Sequence, residues 1–126
     1  MTQDCCASGG NIMILACSGG SNVGQLSNQA AIELTREGVG KMFCLAGIGA
    51  QLGGFVQSAK EVDTMVAIDG CPVGCAKAIL EQAQVPLKNH LVITELGIEK
   101  NKNLTPRAED IARVKSAVFD TCGVKP

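Results

Sequence analysis

Cysteine is the residue type with the clearest chemical promise in this chain, occurring seven times in 126 residues. An odd number cannot be wholly paired within one chain, and a reducing cytosol keeps thiols free. Metal binding or thiol chemistry is therefore expected, rather than a disulfide framework. Cys17 sits in Cys17-Ser18-Gly19-Gly20, Cys44 in Cys44-Leu45-Ala46-Gly47, and Cys71 and Cys75 form a Cys-x-x-x-Cys pair. Four thiolates can close a tetrahedral zinc site with Zn–S distances of about 2.3 Å. The same donor number suits an iron–sulfur cluster. Alternatively, two thiols at the start of a helix suit thiol redox chemistry or persulfide transfer, here through Cys71 and Cys75.

Whether four cysteines act together depends on the elements that carry them. Asn11 to Ala16 is a short apolar run, the pattern of a strand buried on both faces. A helix follows the Cys17–Asn22 loop, with Val23, Leu26, Ala30 and Leu34 on one face and Gly38 as its stop. Lys41 to Ala46 reads as a second strand containing Cys44, and a weak helix spans roughly Ala50 to Lys60. Thr64 to Asp69 reads as a third strand; a helix with Ala76, Ile79, Leu80 and Ala83 on its apolar face comes next. His90 to Thr94 is the fourth strand and Gly97 to Leu104 a polar loop. Thr105 suits the N-cap of a last helix and Pro106 its first position, with Ile111, Val114 and Val118 facing inward.

Alternating strands and helices imply a single-domain α/β fold, a three-layer Rossmann-like or flavodoxin-like sandwich around a mostly parallel four-stranded sheet. In such a sheet Cys17, Cys44 and Cys71 all fall near the carboxyl ends of strands, where ligand sites of open α/β sheets form. Cys75 lies four residues after Cys71, on the same side of a first helical turn. A helix N-terminus also suits an anionic sulfur. The last helix runs away from that edge, about 24 Å over 16 residues, so Cys122 reads as a packing residue. Cys5 and Cys6 precede the first strand, in a flexible arm over residues 1–10 that precedes a domain over 11–126.

Three segments carry a family resemblance. Cys17-Ser18-Gly19-Gly20-Ser21-Asn22-Val23-Gly24-Gln25-Leu26, Cys44-Leu45-Ala46-Gly47-Ile48-Gly49 and Asp69-Gly70-Cys71-Pro72-Val73-Gly74-Cys75-Ala76-Lys77 occur in that order. They resemble the DGC-domain family, named for its central Asp-Gly-Cys motif, and the resemblance extends from about Ile12 into the last helix. It implies a zinc-binding domain whose chelating cysteines map onto Cys17, Cys44, Cys71 and Cys75. It implies no reaction, so whether the protein is an enzyme stays open.

Other residues near the same edge have competing readings. Asp69 either supports the metal ligands or caps the helix that follows. Gly19, Gly20 and Ser21 belong to a strand-to-helix loop that either cradles an anion or lets the chain pass close to a metal. Lys77 and the Lys100–Asn103 stretch read as solvated. His90, the single histidine, reads as structural, and Glu95 as a candidate for the rim of the site.

Composition narrows the partners. A net charge of −1 and 2% aromatic residues argue against nucleic acid. No apolar run reaches membrane-spanning length, and the first basic residue is Arg36, which is unlike a signal peptide. The expected partner is a metal ion, the expected address the cytoplasm.

Overall fold

The computed structural model describes residues 12–124. Two strands, Ile12–Ala16 (β1) and Met65–Asp69 (β3), are buried at every position and pair in parallel, Met13 opposite Met65 through Ala16 opposite Ile68. Shorter parallel strands flank them, Gly40–Met42 (β2) beside β1 and His90–Val92 (β4) beside β3, giving the order β2-β1-β3-β4. The helices are Asn22–Arg36 (α1), Leu45–Gly49 (α2), Gly53–Glu61 (α3), Cys75–Gln82 (α4) and Ala108–Cys122 (α5). The single-domain α/β sandwich expected from the sequence is the fold observed.

The period-two alternation of the central strands splits the core. Ile12, Ile14, Val66 and Ile68 face α1 and α5. Met13, Leu15, Met65 and Ala67 face α2, α3 and α4. The handedness of parallel crossovers explains this division. From β1 to β2 the chain steps one way along the sheet, and from β3 to β4 the other, so α1 and α4 cover opposite faces.

Several boundaries differ from the sequence expectation. The second strand ends at Met42, and Leu45–Gly49 is helical, with Leu45 and Ile48 buried one turn apart against the sheet. A short apolar run has no periodicity that separates a strand from a buried helical turn. The next helix consequently begins at Gly53. The fourth strand gives way after Val92 to a tight 3₁₀ turn over Ile93–Leu96. The last helix begins at Ala108, with Arg107 rather than Thr105 as its N-cap. There the side chains of Asn101 and Asn103 accept from the amides of Asn103 and Thr105, prolonging the turn structure.

Lys115 of α5 joins the two helices on its face, reaching Glu33 of α1 at 3.1 Å and Glu37, the residue that caps its C-terminus, at 2.5 Å. Its hydrogen bond to Glu37 holds the Lys115 pKa above its ordinary value. The bond from Lys115 holds Glu33 below its own. A lowered carboxylate stabilises the fold above its unfolded pKa and loses that contribution as pH falls through the folded one; a raised lysine loses its contribution as pH rises through its folded pKa. Both contributions are present at neutral pH. Replacing Lys115 with Ala is expected to cost about 0.5–1 kcal/mol there, since the pair is partly solvent-screened. The deficit should shrink in acid as Glu33 protonates, which urea titrations at several pH values would reveal.

Candidate functional site

β1 and β3 are neighbours whose connections leave in opposite directions, which opens a crevice beyond their carboxyl ends. Cys17 follows β1 directly and Cys71 lies two residues beyond β3. The Cys17 amide donates to the Ile68 carbonyl at 3.0 Å, continuing the ladder past the strand. In return the Gly70 amide points at Cys17 Sγ at 3.4 Å.

Two glycines let the backbone pack closely here, Gly70 against the first turn of α1 and Gly24 against the loop that precedes it. A Cβ on Gly70 would come within 2.8 Å of the Gly24 nitrogen, and one on Gly24 within 2.3 Å of the Gly19 carbonyl oxygen. Backbone therefore packs on backbone where the β3 loop crosses the start of α1.

Ser27 braces the first loop from below. Its buried hydroxyl donates to the Gly24 carbonyl at 2.6 Å, accepts from the Ser18 amide at 3.1 Å and lies 3.5 Å from Cys17 Sγ. Ser18 holds a left-handed φ of 54°. The other such non-glycine residues among those described, Gln51 and Gln84, follow helix ends, where this conformation is ordinary. Ser18 has no such setting, and local strain of this kind is typical of functional loops. Ser21 caps α1 by accepting from the Gly24 amide.

Asp69, with 1% exposure, organises the second loop. One oxygen accepts from the Ala76 amide at 2.7 Å, the other from the Lys77 amide at 3.1 Å. The second oxygen also lies 2.8 Å from His90 Nε2 on β4. Asp69 is thus the distant cap of α4, whose N-cap residue, Gly74, has no side chain to serve. It fixes the turn that presents Cys71 and Cys75, and His90 completes its set of partners.

Cys17, Cys71 and Cys75 line one cavity of about 220 Å³, together with Asp69, Gly19, Gly20 and Ser21. Lys100 and Lys102 line it as well, and Lys100 Nζ is 3.5 Å from Cys71 Sγ. These lysines are functional candidates that read as merely solvated in the sequence. Their loop leaves β4 at the same sheet edge, which was the available signal. Asn22, the first residue of α1, pins that loop on both sides of Lys100: its side chain donates to the Glu99 carbonyl at 2.8 Å and accepts from the Asn101 amide at 2.6 Å.

Cys44 stands apart. It is exposed at the N-cap of α2 and lines a neighbouring cavity of about 380 Å³, which also takes in Cys17. Cys17 is thus common to both cavities. Thiols are the right donors for a thiophilic ion such as zinc. Their side chains are gathered but not drawn together: among the described residues no three His, Cys, Asp or Glu groups form a ready ligand cage. Coordination would require the thiols to swing inward on their loops.

Glu95 and His90 line a third cavity, on the far side of the Cys71–Cys75 turn, so Glu95 is not on the rim of the thiol cavity. Cys122 packs against the α1–α5 core, and burial pushes its thiol pKa up, as for an inert packing thiol. Cys5, Cys6 and the expected arm over residues 1–10 lie outside the described residues. No helix among the described residues is long and apolar enough to cross a membrane.

Fold and site together define a flavodoxin-like α/β domain with a thiol-lined cavity at its topological switch point. The chain belongs to the DGC domain family, which it matches over residues 13–118. It is 36% identical over 102 residues to the anaerobic and virulence modulator AnvM of Pseudomonas aeruginosa, covering 81% of this chain and 78% of that protein. No solved structure matches the chain.

Two substitutions probe this framework by urea unfolding. Asp69→Ala strips partners from two helix amides and His90 at once and is expected to cost roughly 2–4 kcal/mol. His90→Ala, removing one of those contacts, should cost clearly less; equal losses would contradict the assigned capping role. Gly70→Ala forces a methyl into the backbone crossing and should cost roughly 1–3 kcal/mol.

Proposed function

We propose that the chain is a zinc-binding protein whose ion is held by cysteine thiolates at the carboxyl edge of the sheet. Cys17, Cys71 and Cys75 supply the core of the ligand set, with Cys44 as an outlying fourth member. The observation that carries this reading is the convergence of three thiols from two different loops on one small cavity. Soft sulfur donors select zinc over hard cations. The Gly70 amide aimed at Cys17 Sγ would steady an anionic sulfur. When bound, such an ion neutralises the thiolates and ties the β1 and β3 loops together.

A binding or sensing role suits this arrangement better than hydrolysis. Asp69, the acid nearest the thiols, already has both oxygens engaged by amides and His90, so it is poorly placed to act as a base. The relative AnvM is described as a modulator, which accords with such a role. Thiol redox or persulfide transfer through Cys71 and Cys75 is the second reading, favoured by the ammonium group beside Cys71.

Elemental analysis and competitive zinc titration under reducing conditions separate these. One zinc per chain is expected. Cys17→Ser, Cys71→Ser and Cys75→Ser should each weaken binding by more than the roughly 10–100-fold typical of losing an outer supporting group. Cys44→Ser should cost less than any of the three. A reduced chain that takes up no zinc, or four variants that bind it as well as the native chain, would defeat the metal reading.

A further inference from the structure

We propose that the thiols of Cys17 and Cys71 form a reversible disulfide across the crevice, which makes this edge of the sheet a redox-sensitive switch. The bridge rests on the thiol reading above and replaces Cys75 with Cys17 as the partner of Cys71. It requires no metal.

A disulfide needs only two sulfurs to meet, whereas a metal cage needs at least a third group, and among the described residues no such cage is preformed. Sheet topology brings one pair of thiols within reach. β1 and β3 are adjacent, with Ala16 opposite Ile68. Neighbouring strands lie about 4.8 Å apart, inside the Cα separation of about 4.4–6.8 Å that disulfides tolerate. The Cys17 amide still bonds to the Ile68 carbonyl at 3.0 Å, so the two chains have not diverged where Cys17 stands. Its side chain leans toward β3, with Sγ 3.4 Å from the amide of Gly70, the residue next to Cys71. Cys17 and Cys71 are both partly buried and line the same cavity.

Other pairings are less well served. Cys44 lines the neighbouring cavity, on the β2 side, whereas Cys17 Sγ is turned to β3. Cys75 is exposed and sits in the first turn of α4, where Asp69 holds the amides of the next two residues. Between Cys71 and Cys75 the chain makes a tight turn, closed by the Gly74 amide on the Cys71 carbonyl at 3.1 Å, with Gly74 left-handed at φ 70°. A bridge over that turn has little freedom to reach the torsion a disulfide requires.

The two sulfurs have different surroundings. The single hydroxyl proton of Ser27 goes to the Gly24 carbonyl, so in the 3.5 Å contact between Ser27 and Cys17 the thiol is the donor. Cys71 Sγ instead accepts from the Lys100 ammonium at 3.5 Å, a cation placed to balance the charge of an attacking thiolate. Cys71 is therefore the attacking sulfur and Cys17 the resolving one. With a low-molecular-weight disulfide as oxidant, Cys71 attacks one of its sulfurs, forming a mixed disulfide and releasing one thiolate, which takes up the proton that Cys71 lost. Cys17 then attacks Cys71 Sγ and displaces the second thiolate, which takes up the Cys17 proton. Two protein thiols are oxidised and the oxidant is reduced to two thiols. The bridged chain offers neither sulfur to a metal ion.

The test is oxidation of the reduced, metal-free full chain with oxidised glutathione, followed by proteolysis without reductant and mass spectrometry. Cys71 should be recovered linked to Cys17, and reductant should reverse the link. Cys75→Ser should form the same bridge. Cys17→Ser should stall with glutathione on Cys71. Recovery of Cys71 linked to Cys75 or to any other cysteine overturns the proposed bridge while leaving the thiol reading intact. A chain whose Cys71 stays free and unmodified defeats both. Zinc uptake by the reduced chain decides the metal reading separately, because the mapping uses no metal.

Discussion

The backbone crossing between the β3 loop and the first turn of α1 is the contact on which the candidate site depends. Gly70 leaves no room for a side chain against Val23 and Gly24, and Gly24 none against Gly19, so the β3 loop, the first turn of α1 and the loop before it pack backbone to backbone. Such an approach is possible because β1 and β3 are adjacent and in register to their last residues, with Ala16 opposite Ile68. The sheet order thereby does two things at once. It buries the central strands on both faces, which stabilises the domain, and it leaves a crevice at the one edge where the connections diverge. Cys17 and Cys71 lie on the two lips of that crevice as a consequence of topology.

Side-chain hydrogen bonds convert this closeness into fixed geometry. Ser27 governs the first loop and Asp69 the second, and both are buried within the framework. Asp69 is the more consequential, because it links three elements: the end of β3, the start of α4 and, through His90, the edge strand β4. The thiols of Cys17 and Cys71 are partly buried and those of Cys44 and Cys75 exposed, above a backbone that these hydrogen bonds hold.

Much of this was legible in the residues. The continuous apolar runs of β1 and β3, the helical spacing of Val23, Leu26, Ala30 and Leu34, and the strand–helix alternation determined the layers and the edge at which a site would form. The competing readings of Asp69 also resolve in a simple way: the carboxylate caps α4, and that is how it supports the thiol loop. What was not legible depends on three-dimensional context. Leu45 to Gly49 lacks a period that distinguishes strand from helix, so the residues alone do not show that the strand stops at Met42 and leaves Cys44 at a helix N-cap. Lys100 looked solvated because nothing local shows that Asn22, far away in the chain, clasps its loop. Side-chain amides acting over such separations leave no mark in composition or periodicity.

Sulfur coordination at the switch point is the central proposal for this protein. Zinc K-edge X-ray absorption on the reduced chain loaded with one equivalent of zinc addresses it most directly. A first shell dominated by sulfur at about 2.3 Å is predicted. A shell of nitrogen and oxygen at about 2.0–2.1 Å, with no sulfur, would contradict it.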